Sequence, residues 1–353
     1  MILSKIRKIF FVGLGGAGQR HARIFRELLP AYVEFSAFRT TNKTPLLHSD
    51  FSVNKNSTID EQYDLKVFDS LASGFDNSPD VVVISTPSAL HYEIAKSAAS
   101  NRINIFVEKP FSHNLDHFDE LCRLVKDNDL IFFISYQRRF HPFMMKIKNI
   151  IESGDLGKII TANFDVASYV PSWHPYEDHR QLYACRSDLG GGVLLTEIHE
   201  IDLCYWFFGF PDRVSCTGGN YSETILDVED TAHVTLDYTH YSVQVNLCFM
   251  QKQTRRNIVI TGTKGCVEWN QEGNVLKSTY YDDGRNTIES DPNYRNNDMF
   301  LAQAKYFLNG LRVEDNAYCL KVAEASLAIV GAAKESMNSD KKVSLTDYQW
   351  KAS

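Results

Sequence analysis

The glycine-rich turn from Gly13 to Gly18 constrains the fold most, because it lies between a strand pattern and a helix pattern. It reads Gly-Leu-Gly-Gly-Ala-Gly, follows the apolar run Ile9 to Val12, and opens the helical stretch Gln19 to Leu29. This spacing permits a tight turn, a close approach of a pyrophosphate to the backbone, and close packing of helix on strand. We therefore expect a dinucleotide at the helix N-terminus. The residues expected to bind it are Gly13, Gly15, Gly16, Ala17 and Gly18.

Short apolar runs alternate with helical patterns between Lys8 and Ser135. The runs are Ile9 to Val12, Val33 to Phe38, Val81 to Ser85, Ile103 to Val107 and Ile131 to Ser135. They are almost entirely apolar, which is typical of parallel strands that helices cover on both faces. The alternation predicts a doubly wound parallel sheet of the Rossmann type.

The strand pattern changes in the second half of the chain. In Ala232 to Tyr238, and again in Val243 to Phe249, every second residue is apolar, as in antiparallel strands buried on one face. We therefore predict an α/β chain of two domains. A Rossmann domain would span residues 1–138, and an α/β domain on a mostly antiparallel sheet would span residues 139–353. Because a one-sided sheet must cover its apolar face, we expect a homodimer or a homotetramer.

Composition and charge exclude several other classes of protein. The chain is 44% hydrophobic and 23% charged, and its formal net charge of -7 argues against a nucleic acid partner. Its seven cysteines are scattered and form no C-x-x-C pair, which argues against a disulfide framework and a metal site. The sequence shows no secretory signal pattern and no apolar run of membrane-spanning length. We expect a cytoplasmic protein without a membrane partner.

The end of the second strand pattern bears on the choice of cofactor. NAD enzymes place an acid there on the ribose 2′-hydroxyl, whereas this chain has Arg39 followed by Thr40. A guanidinium can bind a 2′-phosphate that a carboxylate would repel. We therefore expect NAD(P) as the cofactor, with NADP(H) favoured over NAD(H). The alternative is that Arg39 is a solvated loop residue and that NAD binds through backbone contacts.

Further motifs follow the later strands of the first domain. The run Ile103 to Val107 leads into Glu108-Lys109-Pro110, which places a lysine at the carboxyl end of a parallel strand, where open α/β sheets bind ligands. The other motifs are Thr86-Pro87-Ser88 with His91, Tyr136 to Pro142, and Gly190 to Asp202. In this order the motifs resemble those of the Gfo/Idh/MocA family of oxidoreductases, and the resemblance covers most of the chain.

The resemblance implies a role for several of these residues. Lys109 would hydrogen-bond the reacting hydroxyl beside the nicotinamide, where an ammonium group stabilises the developing alkoxide. Glu108 would help to hold the nicotinamide ribose, and Thr86, Pro87 and His91 would contribute to the cofactor site. The alternative is that Lys109 is an ordinary surface lysine at the end of a strand.

By the same resemblance His199 is the general base, because a neutral imidazole can take the proton of the hydroxyl. In isolation, a histidine among apolar helix residues is more often a packed core or surface residue. Many relatives carry an aspartate one helical turn earlier, but Leu195 and Thr196 occupy those positions here. Since residues three or four apart share a helix face, we expect Thr196 to lie beside His199 and Asp202 to orient it.

The polar and aromatic stretch from Tyr169 to Arg180 is interpreted as a substrate loop. Aromatic faces suit sugar rings, and arginines suit carboxylate or phosphate groups. Similar stretches occur in relatives from bacterial surface-polysaccharide pathways, which favours a sugar or nucleotide-sugar substrate. The alternative is a packed surface loop. The substrate-binding residues that we expect are Arg138, Trp173, Arg180, Tyr183 and Thr196.

These features predict an NAD(P)-dependent dehydrogenase that acts on CH-OH groups. A hydride would pass between the nicotinamide and a secondary alcohol or ketone of the sugar, and the proton would pass to His199. The alternative is a catalytically weak or inactive regulatory protein of the same fold that binds a dinucleotide. The presence of Lys109 and His199 favours the enzyme, and the missing aspartate before His199 favours the regulator.

Overall fold

The computed structural model describes residues 6–40, 44–174, 176–222, 227–309 and 315–352, and these residues form two compact units. The first unit comprises the described parts of Met1–Tyr136, Phe300–Glu324 and Trp350–Ser353. The second unit comprises those of Gln137–Met299 and Ala325–Gln349. The predicted division after residue 138 is linear, whereas two C-terminal segments of the chain belong to the first unit.

The first unit is built on a parallel sheet. Its strands are β1 (Lys8–Val12), β2 (Glu34–Phe38), β3 (Leu65–Phe68), β4 (Val81–Ile84), β5 (Asn104–Glu108) and β6 (Phe132–Ser135). They lie in the order β3-β2-β1-β4-β5-β6, and every neighbouring pair is parallel. The strand order reverses between β1 and β4, which is where doubly wound sheets bind ligands. The predicted Rossmann-type sheet is confirmed.

Helices cover this sheet on both faces. They are α1 (Gly16–Leu28), α2 (Ile59–Tyr63), α3 (Leu71–Asp76), α4 (His91–Ser100) and α5 (Phe118–Asp127). Phe10 and Phe11 of β1 point to opposite faces; Phe10 packs edge-on against Phe75 of α3, and Phe11 against Phe25 of α1. Phe307 also packs edge-on against Phe25, which explains why this C-terminal residue belongs to the first unit.

The second unit contains a mostly antiparallel sheet. Its strands are β7 (Ile159–Tyr169), β8 (Arg213–Gly219), β9 (Thr231–Tyr238), β10 (Tyr241–Cys248), β11 (Met250–Gly262), β12 (Gly265–Asn270), β13 (Val275–Tyr280), β14 (Asn286–Ser290) and β15 (Val343–Ser344). They lie in the order β14-β13-β12-β11-β7-β10-β9-β8-β15, and only β7 and β10 pair in parallel among these described strands. The predicted sheet type is confirmed. The remaining helices are α6 (Pro142–Glu152), α7 (Val193–Thr196), α8 (Ile198–Phe208), α9 (Asn296–Asn309) and α10 (Asn316–Ser339).

The apolar face of this sheet is covered within the chain itself. Val234 and Leu236 of β9 are buried while His233 between them is exposed, so the predicted alternation is observed. In the same layer, Phe164 of β7 packs against Phe207 of α8, with ring centroids 6.2 Å apart. The expectation of an oligomer assumed an uncovered apolar face, and that reason does not hold; the oligomeric state stays a prediction. Within the described ranges, no helix is long and apolar enough to cross a membrane.

His141 precedes α6 and is buried in the second unit. Its ring lies against Tyr294 and Trp269, at 4.4 and 5.3 Å between ring centroids, and its Nδ1 accepts a hydrogen bond from the backbone N–H of Phe143. Burial, followed by the positive charge of Arg138, lowers the pKa of His141 to about 4. The folded protein therefore favours the neutral ring.

We expect this histidine to weaken the protein in acid. Its pKa in the folded protein lies below the ordinary value of 6.5, so its contribution to stability is complete above pH 6.5 and is lost as the pH falls towards 4. The loss is about 3 kcal/mol, because one pKa unit corresponds to about 1.4 kcal/mol. His141→Asn keeps a capping acceptor but does not titrate, so its free energy of unfolding in urea should fall less over this range. The control, His240→Asn, removes an exposed histidine. Equal acid losses in His141→Asn and the parent would contradict the prediction.

Candidate active site

The glycine turn after β1 is tightly packed on one side and open on the other. Gly13 has a φ of +90°, and a Cβ there would lie 2.8 Å from the carbonyl oxygen of Ser85. A Cβ on Gly18 would lie 2.2 Å from the carbonyl oxygen of Gly13. On Gly15, in contrast, a Cβ would meet no atom within 4 Å. The first turn of α1, whose N–H groups have no partner within a helix, contains Gly16, Ala17 and Gly18. The open space at a helix N-terminus fits a pyrophosphate.

The strands β1, β4 and β5 are neighbours in the sheet, and their carboxyl ends are in register beside this turn. Val12 pairs with Ile84, and Ile84 pairs with Val107. The glycine turn, Thr86 and Lys109 therefore follow at one edge of the sheet, as the sequence predicts. The hydroxyl oxygen of Thr86 is buried and has no hydrogen-bond partner among the described residues. Such an atom is suited to a bound ligand, so the residues at this edge fit a dinucleotide.

Glu108 faces the interior of the first unit. Its Oε1 lies 2.6 Å from Nε2 of His21 and accepts a hydrogen bond from Ser135, while its Oε2 accepts one from the backbone N–H of Lys109 at 3.1 Å. Gln303 donates to Ser135 and extends the buried network. Burial raises the pKa of Glu108, but the hydrogen bond and charge of His21 and the charge of Lys109 outweigh it, so the pKa is lowered overall. Both oxygens thus bind protein groups, and the ribose-binding role that the resemblance implies stays a prediction. An ionised carboxylate in the core takes the nearest donors.

His91 links the ends of β4 and β5. Its Nδ1 lies 2.8 Å from the carbonyl oxygen of Pro110, and its Nε2 lies 2.7 Å from that of Thr86, the residue before Pro87. Burial lowers the pKa of His91 and outweighs the two hydrogen bonds, so the neutral ring donates to one carbonyl at a time. The ring nitrogens face protein oxygens because a buried imidazole must satisfy its nitrogens locally, so His91 positions the two loops. Its contribution to the cofactor site stays a prediction.

Arg39 directly follows β2 and is held by its own loop. One guanidinium nitrogen donates to the carbonyl oxygen of Thr44 at 3.1 Å, and another lies 4.0 Å from a carboxylate oxygen of Asp60. Burial lowers the pKa of Arg39, and Asp60 offsets part of this effect. The next residue, Thr40, is exposed. Arg39 thus lies where a ribose-recognition residue is expected, with a competing carboxylate nearby.

His199 is buried in the first turn of α8, in the second unit. Its Nε2 lies 3.0 Å from the amide nitrogen of Gln137. When the amide N–H donates, the ring nitrogen accepts, and this bond then forms with the neutral ring that carries its proton on Nδ1. A break at Glu197 separates α7 from α8, so Thr196 and His199 do not share one continuous helix. The spacing argument that joined them does not apply across this break.

Asp202 does not orient His199. Its two carboxylate oxygens accept hydrogen bonds from Nε and Nη2 of Arg139, at 2.8 and 2.7 Å. Ser326 adds a weaker contact at 3.5 Å. Burial raises the pKa of Asp202, and Arg139 opposes this effect. The expectation of an orienting role is therefore corrected: a fully buried carboxylate takes a bidentate guanidinium partner when one is available.

The expected substrate residues separate into two groups. Arg180 is exposed and pairs with Asp178, and Tyr183 begins a separate 3₁₀ turn. Arg138 and Trp173, in contrast, line one cavity of about 230 Å³ within the second unit. The cavity is also lined by residues that the sequence analysis did not identify. They include Ser168, Glu197, Arg255, Arg256 and Asn296.

The sequence contained a partial signal for some of these missed residues. His21 follows Gly18 by three positions in α1 and thus lies near the face that packs on the sheet, where a polar residue needs a buried partner. Arg256 had no such signal, because it stands in the polar run Gln251 to Asn257. Among the described residues, no group of three or more His, Cys, Asp and Glu side chains is arranged to hold a metal ion.

Comparison with family models defines the class of protein. Residues 7–136 match the NAD-binding Rossmann fold of an oxidoreductase family, and residues 144–268 match the GFO/IDH/MocA C-terminal domain. The chain belongs to the Gfo/Idh/MocA family of oxidoreductases. The resemblance drawn from the sequence motifs is confirmed.

Individual relatives agree with this assignment. An uncharacterized oxidoreductase of Bacillus subtilis, YrbE, is 30% identical over 47% of this chain and 47% of its own length. Levoglucosan dehydrogenase of Pseudarthrobacter phenanthrenivorans is 24% identical over 56% of this chain and 60% of its own length. The chain thus spans about half the length of the curated relatives that it matches. A solved levoglucosan dehydrogenase in complex with NADH and levoglucosan is similar in fold, with a TM-score of 0.78 at 17% identity and with 96% of this chain and 98% of that chain covered.

Proposed function

We propose that this chain is an NAD(P)-dependent dehydrogenase of a sugar or nucleotide sugar. The observation that carries the proposal is the shared edge of the first sheet, where the open glycine turn, the buried hydroxyl of Thr86 and Lys109 follow neighbouring parallel strands. This edge combines a dinucleotide site with a cationic donor. Relatives named for sugar dehydrogenation support the choice of substrate, among them levoglucosan dehydrogenase and D-xylose 1-dehydrogenase.

When bound, the nicotinamide supplies the hydride acceptor for the alcohol and the hydride donor for the ketone. In the oxidation, the C–H bond of the carbinol breaks with its electron pair, and the hydroxyl proton goes to His199. The lone pair of the neutral ring lies on Nε2, where Gln137 donates, so the substrate hydroxyl takes the place of that hydrogen bond. The ammonium group of Lys109 stabilises the negative charge on the substrate oxygen. Glu108 positions Lys109 by accepting its backbone N–H.

Activity is tested by adding a panel of neutral and acidic sugars to the full chain with NAD+ or NADP+. Reduction of the cofactor, followed by its absorbance, is the expected result for at least one sugar. Binding of the dinucleotide without turnover on any sugar would instead favour the second candidate function, a dinucleotide-binding regulator. One observation favours that candidate: Asp202, the carboxylate expected to orient His199, is bound to Arg139.

We further propose that NADP(H) binds more tightly than NAD(H), through contact of Arg39 with the 2′-phosphate. Calorimetric titration should show a lower Kd for NADPH than for NADH. Arg39→Asp should reverse this order, because a hydrogen bond between charged groups contributes about 1.5–3 kcal/mol, or about 10- to 100-fold in affinity.

The control for this titration is Arg102→Gln, which removes a positive charge just before β5 and therefore at the opposite edge of the sheet. It should leave the ratio of the two affinities unchanged. An equal or lower Kd for NADH in the parent would contradict the NADP(H) proposal, as would an unchanged ratio in Arg39→Asp.

Two further proposals concern the location of the enzyme in the cell and its oligomeric state. The sequence pattern supports a cytoplasmic protein. A homodimer or homotetramer stays a proposal, in which the outward face of the nine-stranded sheet would form the interface. The outward side chains are polar, as at Thr235 and Gln244, which hydrogen-bond to each other. The mass of a monomer in light scattering at micromolar concentration would contradict the proposed homodimer or homotetramer.

A further inference from the structure

The cavity that Arg138 and Trp173 line carries an excess of positive charge. It lies within the second unit, between β7 and β11, and Arg255 and Arg256 of β11 also line it. Glu197 lines it as well, and both Glu197 and Glu200 pair with Arg256. Three guanidinium groups and one carboxylate thus line the cavity, and the two carboxylates that lie close to these arginines both pair with Arg256. No carboxylate among the described residues lies within ion-pair distance of Arg138 or Arg255.

Several donors around the cavity have no hydrogen-bond partner among the described residues. They are Nη1 of Arg256, Nε of Arg138 and the hydroxyl of Ser168. Arg256 is only 7% exposed and Ser168 only 9%. Buried donors without partners destabilise a protein unless a ligand supplies acceptors. The cavity therefore offers hydrogen-bond donors and positive charge to a group that carries acceptor oxygens and negative charge.

We propose that this cavity is an anion subsite and that the substrate of the enzyme carries a carboxylate or phosphate group. The proposal rests on the proposed dehydrogenase function and specifies its substrate class. Carboxylates and phosphates offer several acceptor oxygens, which suit the fork of a guanidinium, and Arg138 and Arg255 are the two that lack a carboxylate. A neutral sugar hydroxyl carries no charge that could pair with these two arginines.

The subsite contains residues that are close in sequence to the candidate base His199 and to its hydrogen-bond partner. Arg138 is adjacent in sequence to Gln137, which hydrogen-bonds His199, and Glu197 stands two residues before His199. Trp173 gives the cavity an aromatic wall, and its ring is fixed edge-on against Phe249 at 5.4 Å. The anionic group therefore anchors one end of the sugar beside this wall, and its distance from the carbinol selects which hydroxyl reaches His199.

The test measures binding separately from turnover. The full chain, saturated with NADH so that the dinucleotide site is filled, is titrated at low ionic strength with D-galacturonate, D-galactose and inorganic phosphate. D-galacturonate should bind at least about tenfold more tightly than D-galactose, which has the same ring without the carboxylate. Arg255→Gln, at an exposed position that leaves the fold intact, should weaken D-galacturonate binding about 10- to 100-fold. Arg138→Gln should do the same, and Arg138→Lys should retain part of the affinity.

Arg285→Gln is the control, because it removes an exposed arginine of the second unit that pairs with Asp283. It should leave all three affinities unchanged. Competition between phosphate and D-galacturonate decides the source of the anion: tighter phosphate binding identifies a sugar phosphate or nucleotide sugar, and tighter D-galacturonate binding identifies a sugar acid. Equal affinity for D-galactose and D-galacturonate would overturn the proposal, as would unchanged affinity in Arg255→Gln and Arg138→Gln. Anion binding without turnover on any sugar would count against the dehydrogenase and not against the subsite.

Discussion

Lys109→Met should lower turnover by about 100- to 1,000-fold, because a donor that stabilises charge in the transition state typically contributes that factor. His199→Ala should lower turnover by about 100- to 10,000-fold, as expected when a general base is lost. Both residues are proposed to act on one hydroxyl. The double variant should therefore be little slower than the poorer single variant, since residues that act in one step are not additive. Steady-state kinetics with a sugar from the activity screen measure all three variants.

Two controls separate chemistry from folding and cofactor binding. Lys126→Met and His233→Ala remove an exposed lysine from the first unit and an exposed histidine from the second, and both should keep the parent's turnover. The Kd for the dinucleotide should change little in Lys109→Met and His199→Ala. Turnover near the parent's in either variant would remove that residue from the mechanism, and additive losses in the double variant would show that the two act in separate steps.

Asp202→Asn should lower the free energy of unfolding by about 3–5 kcal/mol, which is typical when one partner of a buried ion pair is removed. Asp202 is fully buried, and both of its carboxylate oxygens accept hydrogen bonds from Arg139. The variant therefore leaves the guanidinium of Arg139 without its negatively charged partner. Joint replacement, Asp202→Leu with Arg139→Met, should recover most of the loss, because no buried charge then remains. Urea denaturation of the three proteins measures these differences.

This experiment also distinguishes the ion pair from the orienting role that the sequence suggested for Asp202. As a partner of Arg139, Asp202 affects stability, and turnover per folded molecule should be largely retained in Asp202→Asn. Asp188→Asn is the control; it removes one member of an exposed pair with Arg186 and should lower stability by less than about 1 kcal/mol. Unchanged stability together with a large loss of turnover in Asp202→Asn would restore the orienting role.

The kind of sheet in each unit could be predicted from local patterns, but not every strand could. Uniformly apolar runs indicated strands covered on both faces, and alternating runs indicated strands covered on one. In the second unit, the alternation identified β9 and β10 and left the other strands of that sheet unassigned. In the first unit, the strand that was missed is β3, Leu65–Phe68. This strand pairs only with β2 at the edge of the sheet, and Lys66 and Val67 are exposed, so it lacks the apolar run of the inner strands. Burial on both faces, which produced the signal elsewhere, is absent there.

Predictions of side-chain partners succeeded less often than those of strands. Local spacing placed Lys109 at the correct edge of the sheet, but it also joined Thr196 to His199 across the helix break at Glu197. It also gave no sign that the carboxylate of Glu108 binds His21, which lies 87 positions earlier in the chain. Hydrogen bonds between distant segments leave no regular spacing in a sequence, so only the folded chain identifies them.

The sequence by itself determined the dinucleotide turn, the two kinds of sheet and the family, because each depends on neighbouring residues or on a regular period. The tertiary structure decided which charges meet. In the folded chain, Asp202 pairs with Arg139. Glu197 and Glu200 both pair with Arg256. Arg138 and Arg255 line the same cavity as Arg256 and have no carboxylate partner among the described residues. The physical reason is that buried charges must find partners within a few ångströms in space, and residues far apart along the chain supply them.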